Sequence, residues 1–247
     1  MPTVFDRASF YYDSCSSTND IAQAYLLKRR VAEGTVFIAD YQYRGKGQRG
    51  KTWTSQHAQN LLFSLILYPG WLAIEHFFSL NIITSLAIYD VLLHKLPEGI
   101  SIKWPNDIYY LDQKLGGVLI ETSIGHMEKI KTVIIGIGLN VNQLHFEWPK
   151  ATSLALHKGA VFDRSLLLTQ IIDTLGRYYG QLQSGMVDLI WTSYLHKLYR
   201  RIGFHFFKTI NGYMEGRIVE VNRWGQLVIE KRNGSKYSYD VKEIVFI

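Results

Sequence analysis

Ile102-Lys103-Trp104-Pro105-Asn106-Asp107 is followed, after a short spacer, by Lys114-Leu115-Gly116-Gly117-Val118-Leu119-Ile120-Glu121. Ser101 to Lys103 has a β-like pattern, and Pro105 ends it. The proline ring also biases Trp104 to an extended backbone. Asn106 and Asp107 supply turn chemistry. Lys114 to Ser123 reads as the second strand, and its paired glycines admit close backbone contact. Such a hairpin presents Lys103 and Asn106 at a fixed separation. Lysine is seldom buried, so Lys103 is either an exposed strand residue or a cation kept for an anion.

Upstream lies Gly45-Lys46-Gly47-Gln48-Arg49-Gly50-Lys51, with Trp53 just after it. Closely spaced glycines let a backbone approach a ligand or take left-handed torsions. Interleaved cations and free N–H groups suit a phosphate or carboxylate. A basic solvent loop has the same composition. The run is read here as neither a dinucleotide fingerprint nor a Walker loop.

Taken with Ser17-Thr18-Asn19, Gln42 and Gly136-x-Gly138-x-Asn140, these islands resemble, in order and spacing, the biotin protein ligases, or biotin–[acetyl-CoA-carboxylase] ligases. The resemblance implies an α+β fold: a mixed β-sheet flanked by helices, like class II synthetases, with a small C-terminal SH3-like β-barrel. It implies that ATP and biotin give biotinyl-5′-AMP, and that a carrier lysine then takes the biotin. Lys103 would be the central cation, with Arg49 as a second catalytic residue. Ser17, Thr18, Asn19, Gln42, Gly45, Lys46, Gly47, Gln48, Lys103 and Gly117 would bind biotin. Gln48, Arg49, Lys51, Trp53, Lys103, Asn106 and Asn140 would bind ATP or the adenylate. Gln48 stands where the family often has arginine, which keeps the hydrogen bonding and loses the charge. Mg²⁺ would accompany the pyrophosphate, with no protein ligand assigned. The implied partner is the biotin carboxyl carrier domain of an acyl-CoA carboxylase. Because the first island starts at Ser17, the short form without a DNA-reading domain is expected, and with it no specific DNA binding. Homodimerisation is left open.

The 247 residues suffice for one core and a small appendage. No apolar stretch approaches the roughly 20 residues that span a bilayer, so no membrane contact is expected. Met1 to Asp13 lacks the basic and apolar regions of a signal peptide. The single cysteine, Cys15, fits a reducing compartment such as the cytoplasm. A net charge of +6 permits an acidic partner without requiring one.

Helices are expected over Asn19 to Arg30 (capped by Thr18), over Ile74 to His94 (long and amphipathic), and over Phe162 to Gln181 and Met186 to Tyr199. Thr35 to Ala39, Asn60 to Leu67, Gly116 to Ser123 and Lys131 to Asn140 read as strands. After Arg201 the chain turns β-rich, with Asn211-Gly212, Trp224-Gly225 and Asn233-Gly234 turns. A catalytic domain over 1–201 and a β-domain over 202–247 follow. Two other readings stay open: a lipoate–protein ligase of the same fold, and a non-catalytic nucleotide- or RNA-binding module.

Overall fold

The computed structural model describes residues 8–125 and 129–247. The first seven residues, which carry half of the signal-peptide reading, lie outside the described residues. Strands β1 (Ser9–Cys15), β2 (Val36–Gln42), β3 (Leu61–Leu67), β4 (Ile100–Lys103), β5 (Asp107–Tyr110), β6 (Gln113–Ile124) and β7 (Ile130–Leu139) form one sheet. Its order is β1-β2-β3-β7-β6-β5-β4, parallel only between β1 and β2. β3 is buried along its whole length, which is why its sequence runs apolar rather than alternating. Side chains alternate across a strand. On one face, Phe37, Ile66 and Ile134 pack against Ala22 of helix α1 (Thr18–Lys28). On the other, Phe63 and Leu65 join the main core with helices α2 (Phe78–Leu93), α4 (Arg164–Gln183) and α5 (Val187–His196).

Three readings need correction. The hairpin partner of β4 is β5, a four-residue strand hidden behind the Asn106-Asp107 turn signal, and Lys114 lies on the next strand over, β6. The stretch 74–94 starts as a short 3₁₀ turn, Ile74–His76, and continues as α2. That helix is buried on nearly every side rather than amphipathic. Residues Ile74–Leu93 are in fact long and apolar enough to cross a membrane, with a mean hydropathy of 1.5. Two thirds of the segment lies inside the protein, between the sheet and helices α4 and α5, so its apolarity is that of a core helix. β1 and the short helix α3 (Leu154–Lys158) carried no clear pattern and went unread.

Downstream, β8 (His205–Thr209), β9 (Gly212–Val221), β10 (Leu227–Glu230), β11 (Lys236–Tyr239) and β12 (Ile244–Phe246) form a five-stranded antiparallel sheet, ordered β11-β10-β9-β8-β12. Its ladder is open between β11 and β12 among the described residues. The β9–β10 turn reaches back to the large sheet: Gly225 carbonyl accepts from Trp104 Nε1 at 2.8 Å. Gly225 has φ +80° and lies against the Phe78 ring, where no side chain would fit.

Candidate active site

Strand β7 lays the floor of the site. Gly136, Gly138 and Asn140 follow each other at every second residue, so the two glycines present the same face. The amide of Asn19 rests on Gly136 and the indole of Trp53 on Gly138, each where a Cβ would collide. Across the sheet, Gly138 is paired with Gly117, Gly117 with Asp107 and Asp107 with Lys103. One row of the ladder therefore joins the seat of Trp53 to Lys103. A cleft of about 930 Å³ opens over this floor.

At one end stands a polar chain built on the start of α1. Thr18 N–H donates to Gln42 Oε1 at 2.7 Å, satisfying one of the orphan donors of a helix start. Thr18 Oγ1 donates to the same oxygen, and Ser64 Oγ lies 2.7 Å from Thr18 Oγ1 and 2.6 Å from Asn19 Oδ1. Asn19 Nδ2 donates to Glu121 Oε2 at 2.7 Å. Ser17 occupies the N-cap, and its hydroxyl caps nothing. The expectation that Thr18 caps this helix is thereby corrected. The Ser17 hydroxyl and the Gln42 amide N–H₂ face the cleft with no partner among the described residues.

The glycine-basic loop closes on itself. Trp53 N–H donates to Gly45 carbonyl at 2.9 Å, Gly47 N–H to Lys51 carbonyl at 2.7 Å, and a 3₁₀ turn, Gln48–Gly50, forms the tip. Gly50 takes φ +75°, which favours glycine. Gly45-x-Gly47-x-x-Gly50 does satisfy dinucleotide-fingerprint spacing, and Gly45 to Thr52 satisfies Walker spacing. What excludes both is structural, since each motif requires a helix directly after the loop. Here Lys46 bridges to Thr52 instead. Lys46 also pairs with Asp20 of α1, and that bond holds its ammonium above the ordinary lysine range.

Lys103 is a partly buried cation of the site, held without a carboxylate partner among the described residues. Its Nζ donates to Tyr109 Oη at 3.0 Å and makes no ion pair among the described residues. Asp107, opposite it on β5, is held by Lys114 at 2.6 Å. Burial pushes the Lys103 ammonium below its usual range, and Asp107 pulls the other way. Asn140 donates through Nδ2 to Thr152 carbonyl at 2.9 Å, and its Oδ1 is buried without a partner. Trp53 Nε1 is also buried and unpaired, with Lys114 5.6 Å from the centre of its ring.

The model of the biotin/lipoate A/B protein ligase family matches residues 11–140. The chain belongs to this family. It is 31% identical to the bifunctional ligase/repressor BirA of Bacillus subtilis, over 97% of this chain and 75% of the relative. A biotin–[acetyl-CoA-carboxylase] ligase of Paracoccus denitrificans is 36% identical over 51% of each chain. The fold is also that of the Aquifex aeolicus biotin protein ligase solved with biotin and ATP (TM-score 0.80, 24% identity, 98% of this chain and 99% of that one).

Of the site residues that the family resemblance suggested, Ser17, Thr18, Asn19, Gln42, Lys46, Gly47, Gln48, Lys51, Trp53, Lys103, Asn106, Gly117 and Asn140 line the one cleft. Gly45 is buried behind it against the Trp53 backbone. The Arg49 side chain lies outside what is described. Asn106 spends its Nδ2 on Val118 carbonyl, so it pins the hairpin to β6 rather than offering that donor to a ligand. Glu121 closes a sequence island, whereas Ser64, Tyr109 and Phe246 stand outside every one, and the last two also line the cleft. Ser64 had a signal, being the lone polar residue of an apolar strand. Tyr109 follows Asp107 by two and so stands on its face. Phe246 had none.

Proposed function

We propose that this chain is an ATP-dependent biotin–protein ligase. It forms biotinyl-5′-AMP and transfers biotin to a lysine of a carrier domain. The observation that carries the reading is Lys103, a half-buried ammonium without a counter-ion among the described residues, in a cleft that also holds a polar chain and a seated indole. Adenylation must bring a carboxylate against an α-phosphate. A cation fixed where their charges meet offsets that repulsion, and it counts most where water is excluded. A compact ammonium suits such a shared contact better than a planar fork.

Ser17, Thr18 and Gln42 supply donors and acceptors for the ureido ring, and Asn19 braces them. Asn140 Oδ1 would offer adenine an acceptor, and Trp53 a flat apolar neighbour. Lys46 and Lys51 bring charge to the phosphates. Mg²⁺ would accompany ATP, held mainly through its phosphates. The carrier would be that of an acyl-CoA carboxylase, a reading supported by relatives named as biotin–[acetyl-CoA-carboxylase] ligases. Single, buried Cys15, whose thiol burial pushes up to about 11, supports a cytoplasmic setting.

The test is incubation with ATP, labelled biotin and a carrier domain, followed by a denaturing gel. Label on the carrier that depends on ATP supports the reading. A carrier left unlabelled by biotin but modified with lipoate would replace it.

A further inference from the structure

Lys103 is held by rings rather than by a counter-ion. Besides its bond to Tyr109 Oη, its Nζ lies 4.6 Å from the centre of the Tyr109 ring, 5.3 Å from Phe246 and 5.9 Å from Tyr199. All fall inside the roughly 6 Å over which a ring quadrupole attracts a cation. Neutral rings steady an ammonium without cancelling its charge. A carboxylate in their place would compete with the substrate anions. The nearest candidate for that role, Asp107, is engaged by Lys114. An ammonium has three donors. Tyr109 takes one, which leaves a donor for each of the two anions that must meet.

The rings come from β5, from the segment after α5 and from β12. Phe246 thus brings the C-terminal sheet to the reacting centre. Trp104, next to Lys103, is tied to that sheet a second time through Gly225 carbonyl.

We propose that Tyr109 and Phe246 are positioning residues for Lys103, fixing its ammonium unpaired, with its remaining donors turned to the cleft. This rests on Lys103 being the cation of biotin adenylation. The charged and titratable groups around it are Asp107 and Tyr109 on β5, Lys114 on β6, and Lys150, Tyr199 and Arg200. Burial and then Asp107 raise the Tyr109 phenol above its ordinary range, and burial raises that of Tyr199, so both stay protonated where the lysine titrates.

The experiment is biotin-dependent exchange of pyrophosphate into ATP, followed from neutral pH up past the ordinary lysine value of about 10.4, which spans a lowered titration. The proteins are wild type, Tyr109→Phe, Phe246→Leu and Phe246→Tyr. Tyr109→Phe keeps the ring and loses the acceptor. Its kcat should fall about tenfold with the KM for biotin nearly unchanged. Its alkaline limb should move to lower pH, because the charged form has lost a hydrogen bond. Phe246→Leu keeps apolar bulk without a ring and should lose about fivefold in kcat, and Phe246→Tyr should restore it. Wild-type kcat and an unmoved limb in Tyr109→Phe would overturn the proposal. So would equal loss in both Phe246 variants, which is the mark of packing alone. A wild-type protein that exchanges no pyrophosphate would instead overturn the ligase reading beneath it.

Discussion

Lys103 and Ser64 carry the sharpest predictions at the scale of single residues. Lys103→Ala removes a site cation that lies outside the hydrophobic core, so adenylate formation should fall by about 10² to 10³ while the protein stays folded. The same lysine fixes the sign of the pH response. Its ammonium titrates below the ordinary lysine range because it is partly buried. The protonated form is the useful one, so activity should be full at neutral pH and fall as pH rises through that lowered value. A rate still climbing as pH passes the ordinary lysine value of about 10.4 would exclude a protonated lysine. Ser64 contributes no contact of its own to the proposed ligand. It braces Thr18 and Asn19. Ser64→Ala should therefore raise the KM for biotin by about tenfold and leave that for ATP alone, as a two-substrate titration would reveal. Lys103, Thr18 and Asn19 were legible because each sits in a compact sequence island. Ser64 and Phe246 were not, since their roles arise only where distant strands meet.

Among elements, β7 and the glycine-basic loop show how pattern became geometry. The islands around Gly45, Lys103 and Gly136 are folded onto one face by the order β3-β7-β6-β5-β4. Alternation along β7 explains why its glycines recur at every second residue. Gly138→Ala puts a methyl into the Trp53 ring. It should displace the indole and raise the KM for ATP severalfold, with a smaller change for biotin. Equal changes for both substrates would argue that Trp53 is only a core residue. β5 is short and starts within the Asn106-Asp107 turn signal, so propensity hid it. The helix over 74–94 was legible, but its expected polar face is missing, because α2 is packed on nearly every side.

At the scale of the whole molecule, the C-terminal sheet lines one side of the cleft. It touches the Lys103 hairpin through Gly225 and through Phe246. Composition marked this segment as β-rich and turn-linked, yet nothing in it foretold where it would dock. Removal of the chain from Gly203 onward should slow adenylation more than its lack of sequence islands suggests, provided circular dichroism shows the remainder folded. An unchanged rate in a folded truncation would make the sheet a bystander. The central claim is that one cleft joins biotin to AMP around Lys103. The most direct measurement of it is mass spectrometry of biotinyl-5′-AMP formed from biotin and ATP, with no carrier present, by wild type and by Lys103→Ala. The account predicts adenylate from the first and almost none from the second. No adenylate from wild type, or equal amounts from both, would contradict it.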